Sequence, residues 1–157
     1  MQTTYSLDLD RATAGQIVYR APGGMRGRYE PSEALPPGRL VEYSGGNLRL
    51  PQATTLGSVV GGTPYIATRQ TSIFGVGEGP VPALRRGLMW VEYGGTAPTP
   101  ESAVNIMHSS TIATDRGKVT ASAVSAVAGS EVSAFANARC VEVDTSLGLA
   151  LIDLNLP

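Results

Sequence analysis

Cysteine occurs once in these 157 residues, as Cys140. No intramolecular disulfide can form, and cysteine-rich zinc clusters are excluded. Histidine also occurs once, as His108, and lysine once, as Lys118. No sign of charge dominates: 12 basic and 13 acidic side chains leave a formal net charge of −1. A protein that neutralises many phosphates needs a clear basic excess, so nucleic acid is not an expected partner. No run approaches the ~18 apolar residues of a membrane span, and the first residues lack the apolar centre of a signal peptide. The reading is a soluble chain without a membrane partner, made in a cytoplasm.

A long amphipathic helix is also missing. What the chain does have is 19 Gly, 11 Pro and 42% apolar residues. That mixture predicts many short strands joined by tight turns, and it is too apolar for disorder. The length fits one domain, able to bury roughly 70% of its extended surface. Basic charge is carried by Arg at every position but Lys118. Arginine makes forked contacts and tolerates burial, which suits protein partners; a GC-rich genome explains the bias equally well.

The N-terminal stretch "TTYSLDLD" alternates, with Tyr5, Leu7 and Leu9 on one side, and reads as a short strand or an extended arm. "GQIVYRA" is a clearer strand, and "PGGMRGRYEP" reads as a flexible Gly-rich loop. Leu40 to Tyr43 and Asn47 to Leu50 form a hairpin around Gly45-Gly46, and Pro51 ends it. "SVVGGTPYIATR" reads as a strand broken by Gly61-Gly62. Leu88 to Tyr93 is apolar on both faces, with Met89, Val91 and Tyr93 opposite Leu88 and Trp90, so it belongs in the middle of a sheet. "AVNIM" is a short strand. Residues 109 to 138 are rich in Ser, Ala and Val, and read either as a weak helix or as one or two strands. "ARCVEVD" is a strand with Val141 and Val143 on one face and Cys140 and Glu142 on the other.

The last ten residues, "GLALIDLNLP", place Ala150, Ile152, Leu154 and Leu156 on one side of a strand. Leu149 and Leu151 lie on the other, followed by Asp153 and Asn155. Such an end must be buried, in the chain's own sheet or at a partner's edge. The pattern as a whole predicts an all-β protein, a small β-sandwich or jelly-roll-like barrel with an extended N-terminal arm. Residues 1–32 form the arm and loop region, and residues 33–157 the β domain.

Catalytic and metal chemistry find little support. His108 is followed by Ser109 and Ser110, but a triad is made by geometry and not by neighbours, so His108 reads as a surface residue. Cys140 lies in a strand pattern and reads as a buried small hydrophobe. Asp8 and Asp10 supply too few oxygens for a hard cation. "GVGEGP" has neither dinucleotide spacing nor the Lys-Ser/Thr of a phosphate loop, and reads as a turn. No catalytic, metal or cofactor residue is assigned, and no cofactor is expected. Arg26 and Arg28, and Arg85-Arg86, are the clustered positive charges. They read as solvated loops or as contacts with an acidic protein surface.

Five segments in order carry a resemblance: "EALPPGRLV", "LP", "VPALRRGLMWVEYGGTA", "AVNIM" and "ANARCVEVDTSLGLALIDLNLP". Together they resemble the capsid cement, or decoration, proteins of tailed bacteriophages. The nearest matches are Arg85 to Val91 and Gly148 to Ile152, and the likeness runs from about Glu33 to Pro157. Thr96 to Ala103 lacks the family's Gly-Asp, and residues 109 to 138 are longer and richer in Ala and Ser than the family pattern. The resemblance implies a non-enzymatic virion protein on the capsid exterior. It would bind the mature icosahedral shell across the seams between major capsid subunits. The implied partners are the major capsid protein and the chain itself, as a homodimer before a trimer. Candidate contacts are Tyr5, Arg26, Arg28, Tyr29, Arg85 and Arg86. The other reading is a tail or vertex part, or a receptor- or carbohydrate-binding β module, which calls for exposed aromatics along a groove.

Overall fold

The computed structural model describes residues 12–52, 59–66, 73–108, 114–123 and 131–157, with the backbone alone for Arg26 and Arg28. Among the described residues there is no helix. The strands are β1 (Ile17–Arg20), β2 (Met25–Tyr29), β3 (Leu40–Ser44), β4 (Asn47–Arg49), β5 (Val59–Gly62), β6 (Val81–Leu84), β7 (Arg86–Glu92), β8 (Ala103–His108), β9 (Val119–Thr120), β10 (Glu131–Asp144) and β11 (Leu149–Asn155). They form a six-stranded sheet, β1-β7-β11-β10-β8-β9, and a five-stranded sheet, β2-β6-β5-β3-β4. The strand pairings are antiparallel, so the all-β sandwich read from the sequence is the fold.

The smaller sheet curls. Just after β2, Leu48 donates its amide to the Glu30 carbonyl and Ser32 donates to the Leu48 carbonyl, both at 2.9 Å. This brings the chain beyond β2 alongside β4 at the far end of the sheet and turns it into a half-barrel. Tyr29 of the end strand β2 and Tyr43 of β3, three places along the sheet order, then meet with ring centroids 4.9 Å apart.

Three apolar layers follow from this arrangement. The main core lies between the sheets and holds Leu40, Val59 and Leu84 against Met89, Val91, Ile106, Phe135, Cys140, Ile152 and Leu154. A second core fills the half-barrel with Leu35, Val41, Leu48, Leu50, Phe74, Val81 and Ala83. A third, on the outer face of the larger sheet, gathers Trp90, Leu149 and Leu151 under Ala12 and Ala14. Leu40 and Val41 are adjacent in sequence and enter different cores, as alternation along a strand requires.

The apolar last strand lies in the chain's own sheet, between β7 and β10. Ile152 pairs with Met89 on one side and with Cys140 on the other. A strand with neighbours on both sides and apolar layers above and below is buried along most of its length, and β11 exposes only Asp153 and Asn155. β7 is the same case, between β1 and β11.

Two local expectations are corrected. The Gly-rich loop over 22–31 contains a strand, β2, paired with β6. Glycine there serves a bulge: the register slips between Arg26 and Arg28, opposite Pro82, whose ring nitrogen has no hydrogen to give. Gly61 and Gly62 are the last two residues of β5, which ends after them. A Cβ on Gly61 would lie 2.4 Å from the Leu84 carbonyl oxygen, so the residue is small because another backbone lies against it. The simple alternation expected over "ARCVEVD" fails at a bulge between Cys140 and Glu142. Cys140 and Val143 therefore share the main core, and Val141 packs on the outer layer.

Residues 131–138, left open between helix and strand, belong to β10; residues 109–113 and 124–130 lie outside the described residues. The stretch expected to be an N-terminal arm is, from Ile17 onward, built into both sheets, and residues 1–11 lie outside the described residues.

Candidate functional site

β1 and β2 are the end strands of the two sheets, and a tight corner joins them. Gly24 donates to the Ala21 carbonyl at 2.8 Å to close that corner. A second corner nests inside it, where β6 passes through Arg85 into β7. The amides of Arg85 and Arg86 both donate to the Gly24 carbonyl, at 2.7 and 3.2 Å, and Ala21 donates back to Arg86. β1 follows β7 and β2 follows β6, so residues 17–29 run as one ribbon from the edge of one sheet to the edge of the other.

This ribbon is where exposure and charge coincide. Val18 is 53% exposed and Tyr19 55%, high values for large apolar side chains in a strand. Arg20 is exposed beside them. Residues 17–29 hold Arg20, Arg26 and Arg28 and no acid, in a chain whose net charge is −1. The register of β1 slips between Ile17 and Tyr19, so both edge strands are bulged. Bulges at edges guard against indiscriminate strand pairing.

Of the residues singled out in the sequence, Arg26, Arg28 and Tyr29 lie on this ribbon, in β2. Tyr29 is half-buried against Tyr43. Arg85 and Arg86 lie behind it and hold the last residues of the chain. Arg85 donates to the carbonyls of Gly23 and Pro157 at 3.2 and 3.1 Å, and Arg86 Nε donates to the Leu156 carbonyl at 3.0 Å. Tyr5 lies outside the described residues. Val18 and Tyr19 went unnoticed as surface residues. "IVYR" read correctly as a strand, but apolar composition cannot show that it is an edge strand.

His108 is not on the surface but 1% exposed. β8 runs one residue past "AVNIM", and alternation puts Val104, Ile106 and His108 on the inner face. Its Nε2 lies 2.6 Å from Ser133 Oγ and its Nδ1 3.6 Å from a Glu131 carboxylate oxygen. Cys140 is fully buried. Burial pushes its thiol pKa up, a backbone hydrogen bond at Glu142 lowers it, and the Glu101 carboxylate adds a smaller upward push. "GVGEGP" is a turn, with Glu78 donating its amide to the Gly75 carbonyl. Trp90 is buried in the outer layer and does not line a groove. Among the described residues no three His, Cys, Asp or Glu side chains gather as metal ligands.

The sequence matches the model of the phage structural cement proteins, described as structural cement protein (E217 gp24/Pam3 gp6), over residues 1–155. The chain belongs to that cement family. Among solved structures it is similar to a chain from the capsid of Myoviridae phage XM1, with a TM-score of 0.73 at 17% identity. That match covers 99% of this chain and 97% of the other, and it supports the fold. No curated protein matches. Membership of the cement family makes this a structural protein of the phage virion, located on the capsid.

Proposed function

We propose that the chain binds the outer surface of the mature icosahedral shell and spans seams between major capsid subunits. The observation that supports this reading is β1, which exposes Val18 and Tyr19 beside Arg20, in a stretch, residues 17–29, whose sequence holds three arginines and no acid. Apolar area supplies affinity at such a contact, and charge supplies orientation and speed of encounter. Arg26, Arg28 and Tyr29 belong to the contact, with Tyr5 ahead of them in sequence. Arg85 and Arg86 support it from behind. Binding only the expanded shell stabilises that state by mass action. A dimer, proposed before a trimer, would touch several shell subunits at once and gain effective concentration.

Quantitative mass spectrometry of purified virions tests the reading. Hundreds of copies in simple ratio to the major capsid protein are expected. A few copies per particle would move the protein to a tail or vertex. Light scattering on the free chain checks the dimer, and a monomer at working concentration would remove it.

A further inference from the structure

We propose that residues 1–11 of the chain cover the apolar outer face of its own larger sheet, with Leu7 and Leu9 as the anchors. This cover is independent of shell binding. On that face Trp90, Leu149 and Leu151 are 9%, 5% and 6% exposed. Trp90 lies opposite Leu151, and Leu151 opposite Glu142, the neighbour of Val141, so an apolar row crosses β7, β11 and β10. Among the described residues, the apolar side chains that reach this layer from beyond the strands are Ala12, Ala14 and Leu147. Two methyl groups and one leucine are scant cover for a tryptophan and two leucines. Leu88 and Val141, in the same layer, are only half-buried. A sheet apolar on both faces needs an apolar layer on each.

The path of the chain and its pattern name the occupant. Gly15 donates its amide to the Trp90 carbonyl at 2.8 Å, which sets the chain beside Trp90. Ala14 and Ala12 pack on the layer and line a cleft of about 350 Å³ with Tyr93, Lys118, Leu147 and Leu149. Residues 1–11, outside the described residues, run on from there. In an extended segment Leu7 and Leu9 fall on one side, and Asp8 and Asp10 on the other. Leucines seated on the layer therefore leave both carboxylates in water. Neighbouring strands lie about 4.8 Å apart, so the row from β7 to β10 spans about 10 Å, and extended chain covers that in about three residues. Leu9 and Leu7 are within that reach of Ala12, and Tyr5 stays beyond the row for the shell contact. A segment tethered at Ala12 also meets this face at a far higher effective concentration than a separate chain does.

Trp90 is the chain's one tryptophan, so its fluorescence reports on this face. The full chain carrying Asp8→Cys is labelled with a thiol-reactive nitroxide, and Cys140, fully buried, does not compete for the label. A nitroxide quenches indole emission at short range. Loss of Trp90 emission is expected relative to the same variant with a diamagnetic label, and the loss should persist in excess unlabelled Trp90→Phe chain. Equal emission under the two labels overturns this cover. Recovery in the excess unlabelled chain makes a second copy's segment the occupant, and overturns it too. A second readout needs no label: Leu7→Ser/Leu9→Ser should raise the quenching of Trp90 by acrylamide, whereas Asp8→Asn/Asp10→Asn should leave it at the wild-type level. Equal quenching in wild type and the serine variant also overturns the cover. Neither experiment reads shell binding, so either failure leaves the capsid reading standing.

Discussion

Arg39 donates from Nε to a Glu92 carboxylate oxygen at 2.8 Å, and this pair ties the start of β3 in one sheet to the end of β7 in the other. The same guanidinium donates through Nη1 to the carbonyls of Thr114 and Arg116, at 2.8 and 2.9 Å. One side chain thus fixes both sheets and the turn before β9. Arg39→Met leaves two carbonyls and a carboxylate without their donor and should cost about 2–4 kcal/mol. Arg39→Lys keeps the charge but loses the planar fork, and should recover less than half of that loss. Urea denaturation midpoints measure both.

Glu42 is fully buried, and its carboxylate accepts from Arg49 Nε at 2.6 Å and from the Gln52 amide at 3.3 Å. Arg49→Met strips the cation from a buried anion, an event worth about 3–5 kcal/mol. Glu42→Gln keeps the shape and removes the charge, so the double variant should be more stable than Arg49→Met alone. A double-mutant cycle by denaturant unfolding gives the comparison. Additive losses would show that the pair is not coupled.

Gly87 has φ 135°, and a Cβ there would lie 2.1 Å from the Tyr19 carbonyl oxygen. Gly87→Ala combines backbone strain with a clash against backbone, together about 2–4 kcal/mol. The damage falls on the β1–β7 pairing, so exchange should quicken first in residues 17–20. Gly27→Ala, with open space around its Cβ, should change stability by under about 1 kcal/mol. Equal losses at the two sites would remove the packing argument.

Cys140 should resist thiol reagents in the folded chain at pH 8 and react on unfolding. Burial is the first cause of its raised pKa, so the folded state keeps the thiol protonated where an unfolded thiol ionises. Its contribution to stability is complete below about pH 8.5, the ordinary thiol value, and is lost as pH rises beyond it. Cys140→Ala should remove that alkaline loss from the pH–stability profile, beside a pH-independent cost for the smaller side chain.

Much of the fold was legible because period-two patterning reports which faces are dry. The β3–β4 hairpin follows from Gly45-Gly46, which adopt φ of 60° and 91° and so make the tight turn expected of them. β7 was readable as a central strand because it is apolar on both faces, whereas β11 was readable as buried but not as lying in its own sheet and not at a partner's edge. The bulge between Cys140 and Glu142 was not readable, since an extra residue in a strand leaves no mark in composition. His108 was misplaced because a lone histidine at the end of a strand pattern carries no sign of which face continues. The candidate site was half visible. Arg26 and Arg28 stood out as charges, whereas Val18 and Tyr19 looked like any core strand.

The sequence alone determined an all-β protein with a buried last strand and a surface lacking any strong excess of charge. These are properties of local periodicity and summed composition, which need no knowledge of neighbours. Only the tertiary structure decided that Leu40 and Val41 serve separate cores, that Arg85 and Arg86 secure the final residues, and that β1 and β2 end two different sheets. Each of those depends on which strands lie side by side. Pairing between distant segments is set by the sum of many weak contacts across the whole chain, and no single stretch records it.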